Sequence, residues 1–125
     1  MKKMIGLIID DSVAIRISIR KILIELGIEY IEAGNGQQAL EILKSNPAID
    51  FALVDWNMPV MDGYEFLQKV RADHSYDKKK LIMVTTHSDM ESMIKAMKAG
   101  ANEYVMKPFD KEILKDKLVL AGLEL

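Results

Sequence analysis

The stretch Leu7-Ile8-Ile9-Asp10-Asp11-Ser12 decides the fold of this chain. It ends an apolar run over residues 4–9 and then changes abruptly to two carboxylates and a hydroxyl. A short, nearly continuous apolar run is typical of a strand that is buried on both faces of a sheet. Residues 12–26 follow with apolar side chains at helical spacing, and Gly27 is placed to end that helix. The stretch therefore predicts a buried strand that leads directly into a helix.

The same order of strand and then helix recurs along the rest of the chain. Four further strands are predicted at residues 29–33, 51–54, 81–84 and 103–106, and four further helices at residues 36–45, 64–71, 89–99 and 110–121. This alternation predicts an α/β fold, a five-stranded parallel sheet with helices on both faces and right-handed crossovers. Ligands of such sheets bind outside the carboxyl ends of the strands.

Composition limits the classes of protein to which the chain can belong. Its 125 residues suit one domain, which we expect to cover residues 1–125. The chain has no cysteine, which excludes disulfides and thiolate metal sites and fits the cytoplasm. No apolar run is long enough to insert into a membrane, and the mixed charges, with a formal net charge of −2, do not favour nucleic-acid binding. The run Lys78-Lys79-Lys80 is interpreted as a solvated loop before a strand.

Polar side chains are concentrated where four of the predicted strands end. They are Asp10, Asp11, Asp55, Thr85, Thr86, His87 and Lys107. Three carboxylates at one edge of a sheet repel one another, and a hard divalent cation such as Mg²⁺ relieves that repulsion through oxygen ligands. A lysine and a hydroxyl beside them suit a phosphate group, so the set indicates phosphoryl transfer with a carboxylate as the nucleophile.

Each of these residues also has an ordinary structural explanation. Asp10, Asp11 and Ser12 can simply cap the first helix, and Asp55 can be a turn residue. Lys107 can be a surface lysine before a proline. Taken singly, these explanations are as good as the functional ones or better. They fail only jointly, because four separate strand ends carry residues that are useful to one site.

Four segments resemble the receiver domain of two-component response regulators, most closely the stand-alone chemotaxis regulators of that family. The segments are Leu7-Ile8-Ile9-Asp10-Asp11-Ser12, Val54-Asp55-Trp56-Asn57-Met58-Pro59-Val60-Met61-Asp62-Gly63, Met83-Val84-Thr85, and Lys98-Ala99-Gly100-Ala101-Asn102-Glu103-Tyr104-Val105-Met106-Lys107-Pro108-Phe109. The resemblance runs essentially from end to end. It implies the flavodoxin-like, CheY-like receiver fold with strand order 2-1-3-4-5.

The resemblance implies a phosphoacceptor and a metal site. Asp55 matches the aspartate that the family phosphorylates, and it would also contact Mg²⁺, for which Mn²⁺ is a substitute. Asp11 matches the direct carboxylate ligand of the metal, and Asp10 would act through a metal-bound water. The backbone carbonyl of Asn57 would complete the protein ligands.

The resemblance also assigns contacts to the phosphoryl group and a switch. Lys107 would pair with the phosphoryl group, and Thr85 and the amide of Thr86 would form hydrogen bonds to it. The bond before Pro108 would be cis, although only about 5% of such bonds are cis in folded proteins. Thr85 would move toward the phosphoryl oxygens on activation, and an aromatic residue one strand away would then swing inward.

The remaining roles concern output and the loss of the phosphoryl group. The fourth helix, fifth strand and fifth helix would form the output surface, with Tyr104, Met93, Met97 and Lys117 as candidates. Tyr104 would be the aromatic residue that swings inward. Asn57 and His87 occupy the positions that tune dephosphorylation in the family, but His87 could equally be an exposed loop residue.

Partners follow from the same resemblance. A CheA-like histidine kinase would be the phosphodonor, and a component of the flagellar motor switch would be the output protein. A phosphatase is a further candidate partner. Since the chain ends at Leu125, soon after the last predicted helix, we expect it to signal through protein contacts. We also expect a monomer. The alternative is a phosphorelay intermediate that passes the group to a histidine phosphotransfer protein.

Three other classes compete with a working switch. A Mg²⁺-dependent phosphatase of the haloacid dehalogenase type needs a second aspartate where this chain has Asn57, so we expect no enzyme activity beyond the chain's own phosphorylation and autodephosphorylation. A flavodoxin-like electron carrier needs a phosphate loop where Asp10 and Asp11 would repel phosphate. A degenerate receiver that acts as a constitutive interaction module differs only in taking no phosphoryl group on Asp55.

Overall fold

The structure, a computed structural model, describes residues 3–125 and contains the ten predicted elements. The strands are β1 (Ile5–Ile9), β2 (Glu29–Ala33), β3 (Phe51–Asp55), β4 (Lys80–Thr85) and β5 (Glu103–Met106). The helices are α1 (Val13–Glu25), α2 (Gly36–Ser45), α3 (Gly63–Ala72), α4 (Met90–Lys98) and α5 (Lys111–Leu120). A short 3₁₀ turn, His74–Tyr76, was not predicted. The first two residues of the predicted domain lie outside the described part of the chain.

The five strands form one parallel sheet in the order β2-β1-β3-β4-β5, which confirms the predicted topology. Alternate residues of β1 point to opposite faces: Leu7 and Ile9 join one buried cluster, and Ile8 joins the other. The first cluster includes side chains of α2, α3 and α4, and the second includes side chains of α1 and α5. Both faces of the sheet are therefore covered, and the three central strands, β1, β3 and β4, are apolar almost throughout.

Each helix is capped at its N-terminus by a polar side chain. In each case the cap accepts a hydrogen bond from a backbone N–H three residues later. The caps are Ser12, Asn35, Asp62, Asp89 and Asp110. Because every helix follows a strand of a parallel sheet, the caps and the strand ends lie at the same edge. The caps therefore determine the residue at which each loop at that edge ends and the next helix begins.

Gly63 packs its backbone directly against the end of β3. Its N–H donates to the carbonyl of Trp56 at 2.8 Å. A Cβ atom at this position would lie 2.1 Å from the backbone oxygen of Asp55, closer than any real contact. The absence of a side chain at Gly63 thus allows α3 to begin against the strand that carries Asp55.

The lysine run before β4 differs from its sequence interpretation. Lys80 is the first residue of β4, and its N–H donates to the carbonyl of Asp50 at 3.1 Å. The ammonium of Lys79 donates to the carbonyls of Ile49, at 2.6 Å, and Pro47. The predicted loop is therefore confined to Lys78 and Lys79, and the aliphatic stem of Lys79 lets its ammonium reach backbone carbonyls. Among the helices of residues 3–125, none is both long and apolar enough to cross a membrane.

Candidate functional site

Three carboxylates meet where β1 and β3, which are neighbours in the sheet, come to an end. One carboxylate oxygen from each of Asp10, Asp11 and Asp55 lies within 4.8 Å of the others. Asp10 is 2% exposed and Asp55 is 9% exposed, whereas Asp11 is open to solvent. The acidic cluster predicted from the strand ends is therefore present, with two members enclosed by protein and one at its mouth.

Lys107 joins the two enclosed carboxylates. Its ammonium lies 2.9 Å from Asp10 Oδ2 and 3.1 Å from Asp55 Oδ1. The backbone N–H of Lys107 donates to the carbonyl of Thr85 at 2.8 Å, which fixes this residue beside the end of β4. The peptide bond to Pro108 is cis, as the family resemblance implies. A surface lysine placed only by a following proline would make none of these contacts.

The electrostatics of the site leave Asp55 poorly compensated. Burial raises the pKa of the Asp55 carboxyl, Asp10 raises it further, and Lys107 only partly opposes this rise. Burial alone would lower the pKa of Lys107, but its hydrogen bonds to Asp10 and Asp55 outweigh that cost and raise it. One lysine thus forms ion pairs with two enclosed carboxylates, and a further cation would stabilise the ionised cluster.

The donor set fits a hard divalent metal ion. All three clustered side chains offer carboxylate oxygens, the ligands that Mg²⁺ prefers. Asp11 is exposed and could keep water on such an ion, while Asp10 is already engaged with Lys107. Asn57 is also exposed and lies just beyond Asp55. The role of its backbone carbonyl as a ligand stays a prediction.

Thr85 lies at the same edge of the sheet as the acidic cluster. It is the last residue of β4, it is 1% exposed, and its Oγ1 accepts the N–H of His87 at 3.1 Å. Asp55 pairs with Val84 across the β3–β4 ladder, so Thr85 lies one residue beyond Asp55 at the same edge. The expected hydrogen bond from its hydroxyl to a phosphoryl group stays a prediction. Thr86 is exposed, and the expected role of its amide is not tested by the structure.

His87 lies in the loop after β4, where its ring contacts two other side chains. Its ring stacks on Trp56, with ring centroids 4.9 Å apart, and its Nε2 lies 3.0 Å from Asn57 Nδ2. Trp56 stacks on its other neighbour, Tyr64, at 5.9 Å. His87 is thus a half-buried loop residue, and its role in the loss of the phosphoryl group stays a prediction. The ring is held beside Asn57, at the approach to Asp55.

The predicted output residues differ in exposure. Met97 is 41% exposed, and Met93 and Lys117 are half-buried. Tyr104, in contrast, is 5% exposed, because its hydroxyl donates to the backbone carbonyl of His87 at 2.7 Å and its ring packs in the core. Tyr104 therefore does not lie on the output surface in this structure. It already has the inward position that we expected only after activation.

Arg16 is a contributor that the sequence interpretation missed. Its Nη1 donates to the backbone carbonyl of Asp10 at 2.6 Å, and the Ser12 N–H donates to Asp10 Oδ1 at 2.9 Å. These bonds fix both the backbone and the carboxylate of Asp10. The signal was its spacing on α1, which places Arg16 one turn after the cap Ser12 and on the side that returns toward β1.

Mg²⁺ should change the fluorescence of Trp56, the single tryptophan, which directly follows Asp55 and is 7% exposed. We expect a saturable change on titration with MgCl₂. Asp11→Asn removes the exposed carboxylate, so the apparent dissociation constant should rise about tenfold or more, equivalent to about 1.4 kcal/mol or more of binding free energy. Asp116→Asn, an exposed carboxylate on α5, is the control and should bind as the parent does. An equal affinity in Asp11→Asn would contradict the metal site.

Comparisons with known proteins agree with this geometry. The family model of the response regulator receiver domain matches residues 7–119. A chemotaxis protein CheY homolog of Campylobacter jejuni is 42% identical over 113 residues, which cover 90% of this chain and 87% of that protein. The solved structure of Vibrio cholerae CheY4 superimposes with a TM-score of 0.88 at 32% identity, covering 94% of this chain and 98% of that one.

A further structural match comes from a complex. One chain of the CheX–CheY–BeF₃–Mg²⁺ complex from Borrelia burgdorferi has a TM-score of 0.88 and 25% identity, and the match covers 97% of this chain and 90% of that one. The family model spans nearly the whole sequence, and the relatives match over nearly their whole length. The chain therefore belongs to the response regulator receiver domains of two-component systems and is closely related to the CheY chemotaxis regulators.

Proposed function

We propose that this receiver domain is a switch that a histidine kinase activates by phosphorylating Asp55. The observation that carries the proposal is the enclosed Asp55 carboxylate, held 3.1 Å from the ammonium of Lys107 and beside two further carboxylates at the ligand-binding edge of the sheet. A carboxylate that has a raised pKa and lies next to a cation suits a nucleophile that receives a phosphoryl group.

Transfer would proceed by attack of an Asp55 carboxylate oxygen on the phosphorus of a phosphohistidine. A bond forms between that oxygen and phosphorus, the phosphorus–nitrogen bond breaks, and the electron pair leaves with the imidazole. Lys107 neutralises the charge that arrives, and the Thr85 hydroxyl donates to a phosphoryl oxygen. Mg²⁺, when held by Asp11, Asp55 and the carbonyl of Asn57, would supply additional positive charge.

The same residues favour storage of the phosphoryl group over turnover of outside substrates. A second carboxylate two residues after Asp55 could protonate a leaving group, but Asn57 stands there and has no acidic proton to give. Its side-chain amide is also engaged with His87 at 3.0 Å. We propose that the chain hydrolyses only its own acyl phosphate, with Asn57 and His87 controlling the approach of water.

Output would pass through contacts made by α4, β5 and α5. Exposed apolar side chains are grouped on these elements, namely Met90, Ile94, Met97, Met106 and Ile113. The chemotaxis relatives support a role in chemotaxis, and we propose a component of the flagellar motor switch as the partner. Since Tyr104 is already inward, we propose that the switch-on position is populated before phosphorylation and that the phosphoryl group shifts the population further.

Intact-protein mass spectrometry tests the phosphoacceptor directly. After incubation with a small phosphodonor and MgCl₂, the parent should gain the mass of one phosphoryl group, and the adduct should be lost in base or hydroxylamine, as expected of an acyl phosphate. Asp55→Asn should gain nothing, and Asp116→Asn should behave as the parent does. A stable adduct in Asp55→Asn, or none in the parent, would refute the proposal.

A further inference from the structure

A polar cavity lies beside the phosphoacceptor site but is separate from Asp55 and Lys107. It has a volume of about 320 Å³ and opens between α1, β2 and the connection to α2. Its lining is formed by Arg16, Arg20, Glu32, Ala33, Gly34 and Gln38. Two guanidinium groups face one carboxylate in this space, so its lining carries a net positive charge in a protein whose net charge is −2.

The cavity has more hydrogen-bond donors than acceptors. Glu32 accepts from Arg16 Nε at 3.2 Å and from Arg20 Nη2 at 3.0 Å. A guanidinium has several N–H donors, so one carboxylate cannot accept hydrogen bonds from all the donors of two guanidinium groups. Within residues 3–125, the Nε of Arg20 is buried and has no hydrogen-bond partner. Gln38 adds to the excess, because its Oε1 accepts the Gly34 N–H at 2.7 Å and its amide nitrogen is left to donate.

The two arginines are held in place before any ligand arrives. Arg16 is anchored by its bond to the backbone carbonyl of Asp10 at 2.6 Å. The guanidinium of Arg20 lies over the ring of Tyr30, 5.8 Å from its centroid, a cation–π contact that limits its motion. Preorganised guanidinium groups lose little conformational freedom on binding, and their planar geometry matches the oxygens of a phosphate.

We propose that this cavity binds a small phosphate monoester, with Arg20 as its principal contact. The net positive lining excludes metal ions, and a cavity of about 320 Å³ holds one phosphate group with a small substituent rather than a long peptide. A dianion there would compete with Glu32 for both guanidiniums. Because Arg16 also holds Asp10, and because the Asp10 N–H donates to the carbonyl of Ala33 at 3.1 Å, the ligand would lie next to the backbone of the phosphoacceptor site.

The test is a titration of the full chain with inorganic phosphate in Mg²⁺-free buffer, followed by two-dimensional amide NMR. We expect saturable shifts centred on Gly34 and Gln38, with a smaller shift at Asp10. Arg20→Gln should weaken binding about tenfold or more, since it removes a charge-assisted donor. Lys21→Gln removes the same charge from an exposed position on α1 outside the cavity and should leave the affinity unchanged.

Glu32→Gln should strengthen the binding of phosphate, whereas Arg20→Gln should weaken it. Removing the internal carboxylate frees both guanidiniums, so phosphate should bind several-fold more tightly than to the parent. A purely structural Arg–Glu cluster predicts no such gain. Equal losses in Arg20→Gln and Lys21→Gln, shifts confined to the surroundings of Lys107, no gain in Glu32→Gln, or binding of acetate as tight as that of phosphate would each overturn the proposal.

Discussion

Replacing Gly63 with alanine is expected to lower the free energy of unfolding by about 3 kcal/mol, the upper end for overpacking a close-packed site. The added methyl group would meet the backbone oxygen of Asp55 at 2.1 Å, and the backbone, unlike the tip of a side chain, cannot move aside. Either α3 or the end of β3 must shift. The substitution should therefore also weaken the Mg²⁺ response of Trp56, which lies between these two elements.

Gly34→Ala is the matched control for this experiment. A Cβ atom at Gly34 would have its nearest contact at 3.6 Å, an ordinary van der Waals distance, so we expect a change within about 0.5 kcal/mol. Chemical denaturation of both variants measures the difference. Equal stability of Gly63→Ala and the parent would show that the start of α3 does not rest against Asp55.

Asp55→Asn should stabilise the protein in the absence of Mg²⁺, even though we expect it to prevent phosphorylation. Removing the charge ends the repulsion with Asp10 and lowers the cost of burying the side chain. At neutral pH we expect a gain of about 1 kcal/mol or more, the scale of an incompletely compensated buried polar group. Asp116→Asn, which is exposed, should change stability by less than about 0.5 kcal/mol.

The dependence of this gain on pH has a definite sign. Since the pKa of Asp55 is raised above its ordinary value of 3.8, the folded state binds its proton more tightly than the unfolded state does. The parent therefore loses stability as the pH rises from about the pKa of Asp55 in the unfolded state through its raised pKa in the folded state. The advantage of Asp55→Asn should grow over this window and vanish below it. An advantage that is the same at all pH values would contradict the assigned cause.

Mg²⁺ should make the parent more stable than Asp55→Asn, which reverses their order of stability without the metal. A ligand that binds only the folded state stabilises it by about 2.7 kcal/mol at one hundred times its dissociation constant. The parent should gain this stabilisation, and Asp55→Asn, which lacks one ligand charge, should gain much less. Thermal melts of both proteins across a MgCl₂ series measure the crossing point, and parallel curves would argue against Asp55 as a ligand.

The fold and the acidic cluster could be predicted because local signals determine them. Apolar runs, helical spacing, caps and glycines placed all ten elements, and the β-strand ends brought Asp10, Asp55 and Lys107 together through one topological rule. A parallel sheet leaves little freedom in where its strand ends lie. Residues at those ends are therefore neighbours in space even when they are far apart in sequence.

The features that were missed depend on side-chain direction, which periodicity does not specify. The stack of His87 on Trp56 and the inward position of Tyr104 are choices among rotamers, and sequence spacing is the same for each choice. Val60 is a case of another kind, because it concerns the backbone. Its φ of 69° places a β-branched residue in the left-handed region, where local propensity would put glycine or asparagine. The loop imposes this conformation, with the Met61 N–H donating to the Pro59 carbonyl at 2.8 Å.

The five capped helix starts have an electrostatic consequence for the acidic edge. Peptide dipoles add along a helix and leave about half a positive charge at its N-terminus. In this topology all five N-termini lie on the side of the sheet where Asp10, Asp11 and Asp55 meet. The backbone itself therefore acts as a diffuse counter-charge that no single substitution removes. This counter-charge is partial, and Lys107 is shared between Asp10 and Asp55, so the arrival of one metal ion or one phosphoryl group is a large perturbation of the potential at this edge.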